Sequence, residues 1–286
     1  MMKPTKEQIQ HYYTQALQRC LEAFAKLDEK EWNKKVNGWT ARDHLGHLAA
    51  TTEAETMVLT RQALAGEPAR IPGFEKREDI IPFREKCLEN VRGLSTAELT
   101  QRLRAVVEEH LGILDSLSET DLDRPAMSPG WDRPGTIRDL FFASYLFLPG
   151  QYQEIRKVAK KKLPHWIEAS TPEQVNYHME RVFQYMPLVF RSDKGGDMDV
   201  TYQFTMEGEG GGIWNIRIAE GKAEAGAGAA DPFDAEIATK PQFWIDLANG
   251  DLNPVTAIMP GPLRKVKIAG NLGLAMKLSA LFSVEE

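Results

Sequence analysis

The sequence predicts two domains of different class, an all-helical one followed by an α+β one. Three observations carry that prediction. The chain has 286 residues, long for one helical domain when domains cluster near ~100–150 residues. The hydrophobic period changes from 3.6 to 2 close to residue 198. Charge shifts in the same region. The first 169 residues carry 25 basic and 25 acidic side chains, so the whole net charge of −6 falls in residues 170–286, which hold 10 and 16. The expected domains are residues 1–168 and 169–286, joined near 164–172.

Residues 5–27 place Ile9, Tyr13, Leu17, Cys20, Leu21 and Phe24 on one helical stripe. Thr40 is placed to cap a second helix over 41–64, with Asp43 three positions on and a stop at Gly66 and Pro68. Residues 82–91 and 96–117 repeat the helical pattern. A Pro/Gly-rich loop, 121–135, leads into a last helix over 136–161, in which Pro149 is expected to kink or break the run. The cations of 157–162 suit the solvated end of that helix.

Beyond the linker one helix is expected over 172–191. Residues 198–206 then alternate apolar and polar, as a half-buried strand does, and Trp214, Ile216 and Ile218 form the matching row of a hairpin. The glycines between them, 208–212, lack the following helix and Lys of a phosphate loop and read as a turn. Further strands are expected at 222–230, 235–238 and 263–269, with a short helix after Pro241. The closing helix, 271–282, has Leu272, Ala275, Met276 and Phe282 on one stripe and Leu274, Leu278 and Leu281 on another. A helix apolar on two sides is expected to lie between two apolar partners.

Composition bounds the function. Hydrophobic residues make up 42% and charged residues 27%, an ordinary globular balance. Neither half has the basic excess of a nucleic-acid binder, so no nucleic-acid partner is expected. The longest apolar stretch, 140–150, falls short of the ~18–20 residues of a membrane span. The opening MMKPTKEQIQ has no apolar signal core, so a cytoplasmic protein is expected. Cys20 and Cys87 have no metal-ligand spacing and read as buried small hydrophobes.

From about residue 172 onward the chain resembles the sterol carrier protein type-2 fold. The resemblance rests on the order of elements and on DAEIATKPQFWIDLANGDLNPVTAIMPGPLRKVKIAGNLGLAMKLSALF, in which GPLRKVKIAGNLGLAMKL is the most specific part. It implies a five-stranded sheet covered by helices, around a tunnel for a fatty acyl chain or sterol-like lipid. The positions that match the family's lining are Phe204, Trp214, Ile216, Phe233, Phe243, Leu247, Met276 and Phe282. The plainer reading of each is a core residue of a sheet-on-helix domain.

Residues from about 5 to 160 resemble a DinB-like four-helix bundle, the fold of the N-terminal domain of mycothiol-dependent maleylpyruvate isomerases. NGWTARDHLGHLAATT and GWDRPGTIRDLFFASYLFLPGQYQEIRK carry that resemblance. It implies three metal ligands inside the bundle: one that matches His47, and two on the last helix four residues apart, on one face. The matching positions here are Phe147 and Gln151. Phe cannot ligate, and a neutral amide is a poor ligand for a zinc-like divalent metal. The metal site is therefore expected to be degenerate, with His47 a hydrogen-bonded histidine and His44 facing solvent. A local site with His44, or a frame one turn away that brings in Tyr145 or Glu154, stays open at this point.

Three functions remain in play. The first is a cytoplasmic binder of an apolar small molecule or lipid in the C-terminal domain. The second is a thiol-dependent isomerase or transferase with a metal at His47. The third is a structural protein whose cavity is filled by side chains or by the mate of a homodimer. The first is favoured, because the second lacks the ligands that would activate a thiol.

Overall fold

Short polar signatures start nearly every helix. Thr5 and Gln8 bond reciprocally in a capping box ahead of α1 (Lys6–Ala25), and Asp28 with Glu31 does the same for α2 (Glu29–Trp32). Each box satisfies two backbone donors that a helix start leaves open. β1 (Lys35–Val36) and β2 (Trp39–Thr40) form a small antiparallel ladder, and Thr40 with Asp43 then caps α3 (Ala41–Thr51). The expected second helix is continuous to Ala65, but its middle, Thr52–Met57, winds as a π-helix before α4 (Val58–Ala65). Gly66 ends it with φ 72°, where a side chain would be strained. α5 (Ile80–Glu89) and α6 (Thr96–Ser116) follow, the latter capped by Ser95 and Glu98.

The 121–135 loop begins in a helical turn, α7 (Glu119–Leu122), and is pinned by β3 (Pro125–Ala126) pairing with β4 (Gly135–Thr136). The last helix of this half is α8 (Ile137–Val158). It runs through Pro149 without the break that was one of the two expectations there. Only one backbone donor is lost there, and Leu148, Pro149 and Tyr152 are all buried, so packing holds the helix across the gap. α1 packs on α8 and α6, and α3 on α6 and α8, which gives a four-helix core around Ile9, Leu45, Leu48, Leu103 and Phe141.

The computed structural model describes residues 2–261 and 264–282. The chain divides into two units, residues 2–164 and the part from His165 onward.

In the second unit Thr171 caps α9 (Pro172–Tyr185), with Pro172 in its first turn. Its stripe of Val175, Met179 and Phe183 belongs to the unit's core. After α10 (Ser192–Gly195) come β5 (Val200–Met206), β6 (Gly212–Ala219), β7 (Lys222–Ala227) and β8 (Ala235–Thr239). Next are α11 (Pro241–Ala248), α12 (Pro254–Ile258), β9 (Val266–Gly270) and α13 (Leu272–Leu281). The five strands lie in the order β7-β6-β5-β8-β9. Only β5 and β8 pair in parallel, so the sheet is mixed. Phe204 stands opposite Trp214 and Tyr202 opposite Ile216, all on the buried face. The other face is polar: Gln203 and Thr205 both donate to Glu236, at 2.9 and 2.8 Å.

Three details differ from the sequence reading. α12, capped by Asn253, is a helix the sequence reading leaves out. The strand expected from 263 starts at Val266, and residues 262–263 lie outside the described residues. The closing helix is not enclosed on two sides. Leu281 is its one fully buried residue, Leu274, Ala275 and Leu278 are half-buried against the core, and Leu272 and Met276 are exposed.

Candidate functional site

Two groups of side chains are candidates, one in each unit. In the bundle, the capping box at Thr40 sets the start of α3, and the helical repeat then carries His44 and His47 into the interior. His44 is buried, not solvent-facing as the sequence suggested. Its Nδ1 pairs with Gln151 Oε1 at 2.8 Å, and its Nε2 reaches the Val36 carbonyl at 3.4 Å. Both nitrogens are thus engaged by groups from α8 and β1. Burial on α3 follows from those partners, since a buried polar ring is tolerated only when it is hydrogen-bonded.

His47 is buried beside it. Its Nδ1 pairs with the Thr51 hydroxyl at 3.1 Å. Trp39 and Phe147 meet its ring edge-on, with centroids 4.7 and 5.1 Å away. Burial, with the Arg84 guanidinium and the His44 ring nearby, holds this imidazole well below its ordinary 6.5, so it is neutral near pH 7. The neighbours missed by sequence reading are Trp39, whose Nε1 donates to Glu85 at 2.9 Å, and the half-buried Arg84–Glu55 pair at 3.4 Å. Arg84 also lies over the Phe147 ring at 5.4 Å. Glu55 belongs to the π-helical turn, a wide turn that recurs at functional sites.

This donor set does not suit a divalent metal. Phe147 offers no lone pair and Gln151 is tied to His44. Among the described residues no three His, Cys, Asp or Glu side chains are grouped to share an ion. Tyr145 is buried, and Glu154 is committed to Asn37 at 2.8 Å and Lys157 at 2.6 Å. Of the lysines that end this half, Lys162 joins Asp28 and Glu31 at 2.9 and 2.5 Å.

His110 and the two cysteines are enclosed elsewhere in the bundle. His110 is fully buried, stacked on Phe141 at 4.1 Å with Nε2 on the Thr60 hydroxyl at 3.1 Å, and burial pushes its pKa down to about 3. Cys20 and Cys87 are buried, and burial raises both thiols, Cys20 to about 12, the opposite of what a nucleophile needs. A surface crevice of about 340 Å³ near Lys3 contains the buried Arg138. Its guanidinium is already spent on Glu119 and Asp123.

In the second unit, an aromatic cluster fills the space between α9, the sheet and α11. Phe183 stands 4.9 Å from both Phe204 and Trp214 and 5.8 Å from Trp244. Phe204, Trp214 and Ile216, singled out in the sequence, are fully inside this core. Phe243, Leu247 and Phe282 are half-buried against it. Phe233 and Met276 are not in the interior, which corrects the expectation for both. Phe233 sits exposed in the loop ahead of β8, and Met276 lies on the outer side of α13. Phe183 and Trp244 were missed, although the i, i+4 row through Met179 marks the first. The indole Nε1 of Trp244 is buried without a hydrogen-bond partner among the described residues. An orphaned donor beside half-buried apolar side chains is a point where a ligand oxygen could be held.

Comparison with known proteins agrees with this division. Residues 12–143 match the model of the DinB superfamily, and residues 197–283 match that of the SCP-2 sterol transfer family. Hydroxysteroid dehydrogenase-like protein 2 of Rattus norvegicus is 34% identical over 83 residues, 29% of this chain and 15% of that protein. The Mus musculus protein of that name is 34% identical over 120 residues, 41% of this chain and 24% of that protein. The chain thus spans a quarter or less of the length of these relatives. The crystal structure of a mycothiol-dependent maleylpyruvate isomerase superposes with a TM-score of 0.60 at 11% identity, covering 94% of this chain and 95% of that one.

Proposed function

From a chain that joins a DinB-type helical region to an SCP-2-type α+β region, we propose a protein that binds an apolar ligand, a fatty acyl chain or sterol-like lipid, in its second unit. One observation carries the reading. The core of that unit does not close over itself: Phe243, Leu247, Ile258, Leu274, Leu278 and Phe282 pack on it and remain partly exposed. A ligand chain laid along them would remove that surface from water, at roughly 25 cal/mol per Å². Recognition of this kind is non-directional, so selectivity among lipids is broad. Trp244 Nε1 supplies a donor for the polar end.

The bundle, in this reading, keeps the fold without the ion. The thiol-dependent isomerase reading needs a metal-bound thiolate, and its three donors would be His47, Phe147 and Gln151, of which only the first is suited to the task. Cytoplasmic placement belongs to the same proposal. The described helices include none long and apolar enough to cross a membrane.

The test is uptake of a fluorescent fatty acid by the full chain, with mass spectrometry of organic extracts of the purified protein. Saturable uptake, weakened by Leu278→Glu, is the expected result. No uptake and extracts free of apolar molecules would overturn the proposal. Metal analysis of the chain and of His47→Ala tests the second clause; a stoichiometric ion that disappears in the variant would restore the enzyme reading.

A further inference from the structure

The outer side of α13 is unusual for a solvated helix. The residues it exposes are Leu272, Gly273, Met276, Lys277, Ser279 and Ala280, with no acidic group among them. Leu272 is 50% and Met276 43% exposed, and Val255 and Met259, at α12, are each 57% exposed. α12 and α13 both pack against β9, the edge strand, so these apolar side chains flank one border of the sheet. Solvated helices ordinarily carry charge on such a face.

Charge is segregated in the same direction. Residues 240–286 contain five basic and four acidic side chains, whereas 170–239 contain five and twelve. The hairpins β5 to β7, within the acidic part, form the opposite border of the sheet. Lys267 pairs with Glu207 at 2.8 Å, and Lys265 Nζ lies 5.0 Å over the half-buried Phe243 ring. Arg264, Lys265 and Lys277 are exposed and have no acidic partner among the described residues.

We infer that this border, the outer face of α13 with Val255 and Met259 of the α12 region, docks on an anionic lipid bilayer. An apolar helix side set among cations is the pattern of an interfacial element, its apolar residues entering the acyl boundary and its cations meeting headgroups. Each such cation raises binding to an anionic surface about five-fold. The acidic border points away from the membrane. A second copy of the chain is a poorer occupant, because self-pairing across a two-fold axis would set Lys277 and its neighbours against their own images. The inference rests on the ligand-binding proposal for its purpose, since it puts the half-buried apolar row next to a source of lipid.

Co-sedimentation of the full chain with vesicles tests it. Vesicles of phosphatidylcholine with phosphatidylglycerol are expected to carry the protein down, and vesicles of phosphatidylcholine alone are not. Leu272→Glu with Met276→Glu is expected to abolish sedimentation. Lys277→Glu, which changes two charges, is expected to weaken it roughly ten- to thirty-fold, with a similar loss at high salt. Both variants alter exposed side chains and should keep the wild-type circular dichroism. Equal binding to both vesicles, or none, overturns docking. So does a dimer in sedimentation velocity that Leu272→Glu with Met276→Glu splits, without vesicle binding. Fatty acid uptake in the absence of vesicles separates the two proposals: uptake without sedimentation sinks the docking alone, whereas sedimentation without uptake sinks the ligand proposal alone.

Discussion

The buried group around His47 in the bundle and the one around Phe183 in the second unit are held by different physics. The first is ordered by directed bonds: His44 to Gln151, His47 to Thr51, Trp39 to Glu85. The second is ordered by burial of four large rings within 6 Å of Phe183 or of one another. A directed site is lost by replacing one donor. A burial site tolerates substitution at its rim and loses specificity before it loses function. That contrast makes the first group sensitive to single donors and the second sensitive to packed area.

The largest effect expected from breaking the comparison is in the aromatic cluster. Phe183→Ala removes a ring with three aromatic neighbours and should cost about 3–5 kcal/mol in urea unfolding of the full chain. A cost under 1 kcal/mol would mean that the cluster is not the core of its unit.

Acid should separate the two groups next. The folded pKa of His110, about 3, is below the unfolded value of 6.5, so only the unfolded chain takes up that proton in between. Stability is therefore complete above pH 6.5 and falls by roughly 1.4 kcal/mol per pH unit toward pH 3. His47, lowered in the same direction, steepens the loss. The rings around Phe183 do not titrate. His110→Leu should flatten the dependence of the urea midpoint between pH 7 and 4.5; an unchanged slope would assign the acid sensitivity elsewhere.

Adding donors sharpens the contrast. Phe147→His with Gln151→His would give three imidazoles around His47, and zinc at 100 times its Kd should then stabilise the variant by about 2.7 kcal/mol and leave the natural chain unmoved. No zinc-dependent shift in the variant would show that the backbone around His47 does not present three imidazoles to one ion. The smallest effect is at the cap: Thr40→Ala should cost about 1 kcal/mol, read by thermal denaturation.

Much of the fold was legible because its signals are local. The cap at Thr40 and the alternation through β5 are read within a few residues of one another. Of the kink or break expected at Pro149, a break is not seen, since the burial that carries α8 past it comes from other helices. His44 was misplaced because its partners lie on Val36 and Gln151, 8 and 107 positions away. Phe233 and Met276 share the apolar character of Phe204 and Trp214, and composition alone cannot distinguish an interior side chain from one at the border.

The sequence by itself determined the class of each half, the order of the strands along the chain, and the poor ligating chemistry of Phe147 and Gln151, since those are properties of neighbouring residues or of residue identity. Only the tertiary structure decided which apolar side chains close the second core and which stay open, and which polar groups satisfy the buried histidines. Burial and hydrogen-bond satisfaction are set by contacts between distant segments, and a one-dimensional pattern does not contain them.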